Sequence, residues 1–168
     1  MSELCSTVVL DATVGVPRIG AAVAGYEGDD GTYVIIMGGR ATRNHRRGYQ
    51  STIAYNVATK KVARLPDLPH GVYNAMAWVC GSRVYLAGGI TGPRSSAEDR
   101  VYSIEPFGGK PWFPEDGWQL PFELEGAVAV CANNRIELFG GRTHAVRGAG
   151  TGTELNIISI EDPTEYTA

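Results

Sequence analysis

At 168 residues, with 43 % hydrophobic and 20 % charged side chains, the chain can bury the core of one domain and is too apolar to be a disordered tail. Fifteen Lys and Arg against 18 Asp and Glu leave a net charge of −3, which argues against a globally basic nucleic-acid binder. No apolar run approaches the ~18–20 residues of a membrane helix, no basic segment followed by an apolar run marks a signal peptide, and the default location is the cytosol.

In chain order, residues 7–10 (Thr-Val-Val-Leu) predict a strand by β-branching. A strand rich in small residues follows at 20–24, then the apolar run 33–37, which stops on Gly38 and Gly39. Runs this short, bounded by glycine, read as strands. A polar loop carries Arg40, Arg43, His45, Arg46 and Arg47, and strands are predicted at 51–55 and 61–65. The order then repeats: a first strand at 75–80, and a second at 84–87 ending on Gly88 and Gly89. A loop with Arg94, Glu98 and Asp99 follows, then a strand at 100–104. A long turn at 106–117, with Trp112 and Phe113 at its centre, leads to a strand at 117–120. The third pass has strands at 126–131 and 136–139, the pair Gly140-Gly141, a loop with Arg142, His144 and Arg147, and a strand at 154–160. Gly38 to Gly88 is 50 residues and Gly88 to Gly140 is 52, a period that signals a repeat architecture. With 22 Gly and 9 Pro and no apolar stripe of helical period, no helix of normal length is expected.

This pattern resembles the kelch repeat. An apolar strand ends in a double glycine, a polar loop follows, a strand ends near a Tyr, and a Trp opens the fourth strand. The double glycine matches in all three units; the Tyr position is met by Tyr55 and the Trp position by Trp118, while Ile104, Ile160 and Val62 depart from the pattern. The resemblance spans about residues 17–164 and implies an all-β, kelch-type β-propeller of four-stranded antiparallel blades. On this reading one domain covers 1–168. Blade one is about 17–65, blade two about 72–120, and blade three about 126–160 completed by the strand at 7–10. The tally is one strand, four, four and three, which makes three whole blades. Propellers commonly hold ~4–8 blades. Two chains are therefore expected to pair into a six-bladed homodimeric ring, unless the chain is a piece of a longer propeller.

Strand alternation sorts the loops onto two faces. Loops between second and third strands share a face with the links between blades and collect Arg40, Arg43, Arg46, Arg47, Arg94, Arg142, His144 and Arg147. The opposite face collects Glu27, Asp29, Asp30, Glu115, Asp116, Asp162 and Glu165. Guanidinium forks gathered on one face suit carboxylates or phosphates. Arg40 and Arg142 are the foremost candidates, since each directly follows its double glycine; Ile90 holds that place in the second unit. Asp67, Glu123 and Glu125 partly offset this charge. His70, between Pro69 and Gly71, reads as a turn residue. Cys80 and Cys131, at matching ends of successive first strands, read as buried reduced thiols acting as small hydrophobes, and Cys5 as incidental. No CxxC, Cys/His cluster or carboxylate run calls for a metal, and no cofactor is expected.

The resemblance implies a non-catalytic protein-interaction module that takes an acidic partner or peptide at the basic loop face. The alternative it implies is a sugar-active enzyme. A sialic-acid mutarotase would press Arg40, Arg142, His144 and Glu98 into service, whereas a copper-dependent oxidase lacks its ligand set here.

Overall fold

The computed structural model describes residues 16–44, 46–92, 96–133, 135–143 and 157–161, the backbone course alone at 96–97 and 157–161. The described residues are strands, turns and loops without a helix, so none is long and apolar enough to cross a membrane. The predicted strand at 7–10 lies outside the described residues.

Unit one is a four-stranded antiparallel sheet of β1 (Ile19–Gly28), β2 (Gly31–Arg40), β3 (Thr52–Asn56) and β4 (Val62–Leu65), in that order. Along β1 the side chains alternate strictly. Ala22, Ala24 and Tyr26 are buried, whereas Val23 and Gly25 are exposed, so one face of this strand packs and the other does not, while β3 is buried on both faces. A short strand, β5 (Val72–Tyr73), then precedes unit two. Its sheet holds β6 (Met76–Cys80), β7 (Arg83–Ala87), β10 (Arg100–Ile104) and β11 (Phe113–Gln119), again in chain order across the sheet. The short β8 (Ile90–Thr91) joins β5 and β9 (Ser96–Ala97). After β12 (Leu124–Glu125) comes unit three, with β13 (Val128–Ala132), β14 (Arg135–Phe139) and β16 (Ile157–Glu161); the short β15 (Arg142–Thr143) pairs with β12.

Two expectations change in detail. Residues 106–117 are not all irregular turn: β11 opens at Phe113, and its register with β10 shifts so that residues 115–118 bulge opposite Val101. Trp112 and Phe113 part company there. Trp112 is buried against unit one and donates its indole N–H to the Pro66 carbonyl at 3.2 Å, while Phe113 faces solvent. The strand also runs on past each of the last two glycine pairs, as β8 and β15, which the apolar pattern does not mark because each is only two residues long.

The three sheets pack face to face, β1 against β6 and β6 against β13. Alanines recur on or immediately before these first strands: Ala22 and Ala24, Ala75 and Ala77, Ala127 and Ala129. Small side chains let neighbouring sheets approach closely. One core lies between units one and two, around Ile35, Met37, Val84, Leu86 and Trp112. The second lies between units two and three, where Trp78 stacks on Tyr85 at 5.5 Å and Trp118 stands edge-on to both.

The first two glycine pairs lie where the sheets meet. Gly38, at φ +62°, is so close to the next unit that a Cβ would sit 2.4 Å from the Val72 carbonyl oxygen. A Cβ on Gly88, at φ +65°, would likewise sit 2.3 Å from the Leu124 carbonyl oxygen, which accepts the Gly89 N–H at 2.8 Å. A parallel device joins three residues at or just before the starts of the first strands. Gly20, Asn74 and Gly126 all have positive φ (67°, 56° and 66°). The Asn74 N–H donates to the Gly20 carbonyl at 2.7 Å, and the Gly126 N–H to the Asn74 carbonyl at 2.8 Å. These links run from sheet to sheet, across the grain of each.

Cys80 and Cys131 are joined in a disulfide, with Cα atoms 5.6 Å apart, and are not the reduced thiols that the sequence reading expects. The reason is a one-residue offset. Counted from the positive-φ residues, Cys80 is six places after Asn74, but Cys131 is five after Gly126. Alternation therefore turns Cys131 to the opposite face of its sheet, back towards Cys80.

Candidate functional site

The division of loops between two faces holds where it is described. The loop between β2 and β3 lies against the link between β4 and β5: the Leu68 N–H reaches the Gln50 carbonyl, the Val72 N–H reaches the Tyr49 carbonyl, and Gln50 donates its amide to the Leu68 and Pro69 carbonyls. Gly48 and Gly71 bring the two backbones into direct contact. At the opposite end, Phe107 packs on Tyr33 beside the turn holding Asp29 and Asp30, and Glu115 binds Arg83 and Ser103.

Arg40 and Arg142 do occupy equivalent places, paired across their sheets with Ile19 and Glu125, as Ile90 is with Tyr73. Their surroundings differ. The Arg40 guanidinium lies over the Tyr73 ring at 4.1 Å from its centroid, a cation–π contact between units one and two. Arg142 reaches Glu125 at 3.9 Å. Glu125 is buried and also accepts the Asn74 side-chain amide at 3.0 Å, so Arg142 supplies charge to a carboxylate held inside the protein. Arg43, Arg46 and Arg47 are exposed on the β2–β3 loop, and among the described residues no ion pair engages them. Arg94, His144, Arg147 and His45 lie outside the described residues.

Beside that loop is a groove of about 340 Å³, lined by Arg47, Gly48, Gln50, Pro69, His70, Gly71, Thr91 and Gly92. His70 is more than a turn residue. Its Nε2 is 3.6 Å from Glu98 Oε2, and its ring meets Tyr102 edge-on at 5.3 Å. Glu98 also stands 3.5 Å from the Tyr102 hydroxyl and 4.0 Å from Arg100. The groove thus presents Arg47 and His70 as donors at its wall, with Glu98 set behind His70. A second clamp, absent from the candidate list above, is Arg18. It donates to the Gly38 carbonyl at 2.6 Å and to the Ser51 hydroxyl at 2.7 Å, and burial lowers its pKa. Contacts of this kind join residues far apart in sequence, and no local motif announces them.

Burial raises the pKa of Tyr102, the Glu98 charge adding to the effect, and burial likewise raises that of Tyr26. Between the ordinary tyrosine pKa of about 10 and these raised values, the folded chain keeps protons that the unfolded chain has lost, so stability falls as pH rises. The urea midpoint should therefore decline as pH climbs past about 10, and Tyr102→Phe should flatten the decline. An identical pH slope in that variant would detach Tyr102 from the effect.

No protein-family model and no curated protein sequence matches the chain.

Proposed function

We propose that the chain is a kelch-type β-propeller module that binds a protein partner through an acidic segment at its basic loop face, without chemistry of its own. The supporting observation is the exposed trio Arg43, Arg46 and Arg47 beside a groove walled by Arg47 and His70. Arg40 and Arg142 serve the reading less directly, because Tyr73 and Glu125 already engage them. The sugar-active alternative draws on Arg40, Arg142, His144 and Glu98. With Arg40 stacked on Tyr73 and Glu98 set behind His70, it has the weaker support of the two. A disulfide between Cys80 and Cys131 belongs to an oxidising compartment, and this weighs against the cytosolic default.

The test is a titration of labelled peptides by fluorescence anisotropy. A Glu- and Asp-rich peptide should bind, and its Gln/Asn counterpart should bind at least about tenfold more weakly, since charge-assisted hydrogen bonds to guanidinium are the strong ones. The double change R46A/R47A should cost a similar factor, and added salt should weaken the wild type most. Equal binding of the neutral peptide would remove the reading. A response to sialic acid alone would favour the sugar-active alternative.

A further inference from the structure

The contact between units occurs twice within the chain with the same parts, and among the described residues a third set of those parts stands uncovered. At the first two contacts the leading glycine of a pair, Gly38 or Gly88, meets a carbonyl of the next unit, that of Val72 or Leu124. Around it, Ala22, Ala24 and Met37 of unit one, or Met76, Trp78 and Ala87 of unit two, are buried against the following sheet. In unit three the matching residues are Val128, Val130 and Phe139, and they are 62 %, 46 % and 40 % exposed. Among the described residues, nothing comes within 4 Å of a Cβ built on Gly140, although its φ of +69° matches those of Gly38 and Gly88. The column of positive-φ residues reaches Gly126 in the same direction.

The opposite end of the stack offers the counterpart. Val72 and Leu124 each stand two residues before the positive-φ residue of their unit; in unit one that place belongs to Arg18, before Gly20. On the sheet face that units two and three use for packing backwards, unit one exposes Ile19 (42 %) and Val23 (55 %). Val23 stands where Ala77 and Ala129 pack in the other two units.

We propose that the open wall of unit three receives unit one of a second copy of this chain. The partner copy's backbone at position 18 sets its carbonyl against Gly140, and its N–H at position 20 extends the hydrogen-bonded column from the Gly126 carbonyl. The case for a second copy is continuity: the chain already makes this contact with itself twice, and it carries both halves of the third. Each copy has one front and one back, so two copies related by a two-fold axis satisfy both ends and leave neither exposed. A head-to-tail contact that failed to close would instead grow into fibres. The proposal does not depend on the ligand of the loop face.

Light scattering coupled to size exclusion on the full chain tests it. The expected mass is about 36 kDa, twice the 18.0 kDa of one chain, and stays constant over a hundredfold range of concentration. Val130→Glu, at an exposed site of unit three, should reduce it to 18.0 kDa with an unchanged circular dichroism spectrum, and Val23→Glu at the other end should do the same. A wild-type mass of 18.0 kDa, a mass that climbs with concentration, or a dimer indifferent to both substitutions would overturn the proposal. A stable monomer would assign the open wall to a further unit of a longer polypeptide.

Discussion

Gly88→Ala should lower the free energy of unfolding by about 2–5 kcal/mol, whereas Gly140→Ala should cost only about 1–2 kcal/mol. The two glycines share a left-handed backbone, φ +65° and +69°, so the conformational penalty of adding a Cβ is common to both. What separates them is the neighbour. At Gly88 the new carbon would lie 2.3 Å from the Leu124 carbonyl oxygen and 3.0 Å from the Met76 methyl, whereas at Gly140 no atom among the described residues is within 4 Å. The Leu124 oxygen cannot retreat cheaply, because it accepts the Gly89 N–H and belongs to β12. Forcing a methyl into such packing adds about 1–3 kcal/mol. Urea unfolding of both variants, in a Val130→Glu background so that association does not contribute, measures the gap. Equal costs would mean that the glycine pairs serve backbone conformation alone and that the sheets do not meet at Gly88.

Breaking the Cys80–Cys131 bond should lower stability by about 2–4 kcal/mol, by reduction or as Cys80→Ser. The bond joins residues 51 apart in sequence and links the first strands of units two and three. Its main effect is on the unfolded chain, whose freedom it restricts; the loop-entropy relation gives about 4 kcal/mol for a loop of this length, and strain in the folded state subtracts from that. Denaturant midpoints with and without reductant test this, and Cys80→Ser should abolish the dependence on reductant. Thiol titration of the denatured, unreduced protein provides an independent reading. Three cysteines less the two paired leave one reactive thiol, and a count of three would dispose of the disulfide.

The second strands of the first two units, β2 and β7, were legible because short apolar runs stopped by glycine leave a local signature, and β3 and β10 because β-branched and aromatic residues cluster between polar loops. The grouping of the β2–β3 loop with the β4–β5 link was legible too, since it follows from alternation of strand direction. The candidate surface was legible only as a composition of arginines. That Arg40 lies on Tyr73 and Arg142 beside a buried Glu125 depends on how one sheet sits against the next. His70 looked like a turn residue because its partners, Glu98 and Tyr102, come from a different unit.

The amino-acid sequence by itself determined an all-β chain of short strands in which a glycine pair recurs, because strand period and turn chemistry are set by neighbouring residues. Only the tertiary structure decided the disulfide, the shared column of Gly20, Asn74 and Gly126, and the wall at Gly140 that is uncovered among the described residues. Each of these depends on which side of a sheet a residue faces and on what stands a few ångströms away, and a shift of one residue, as at Cys131, reverses the outcome.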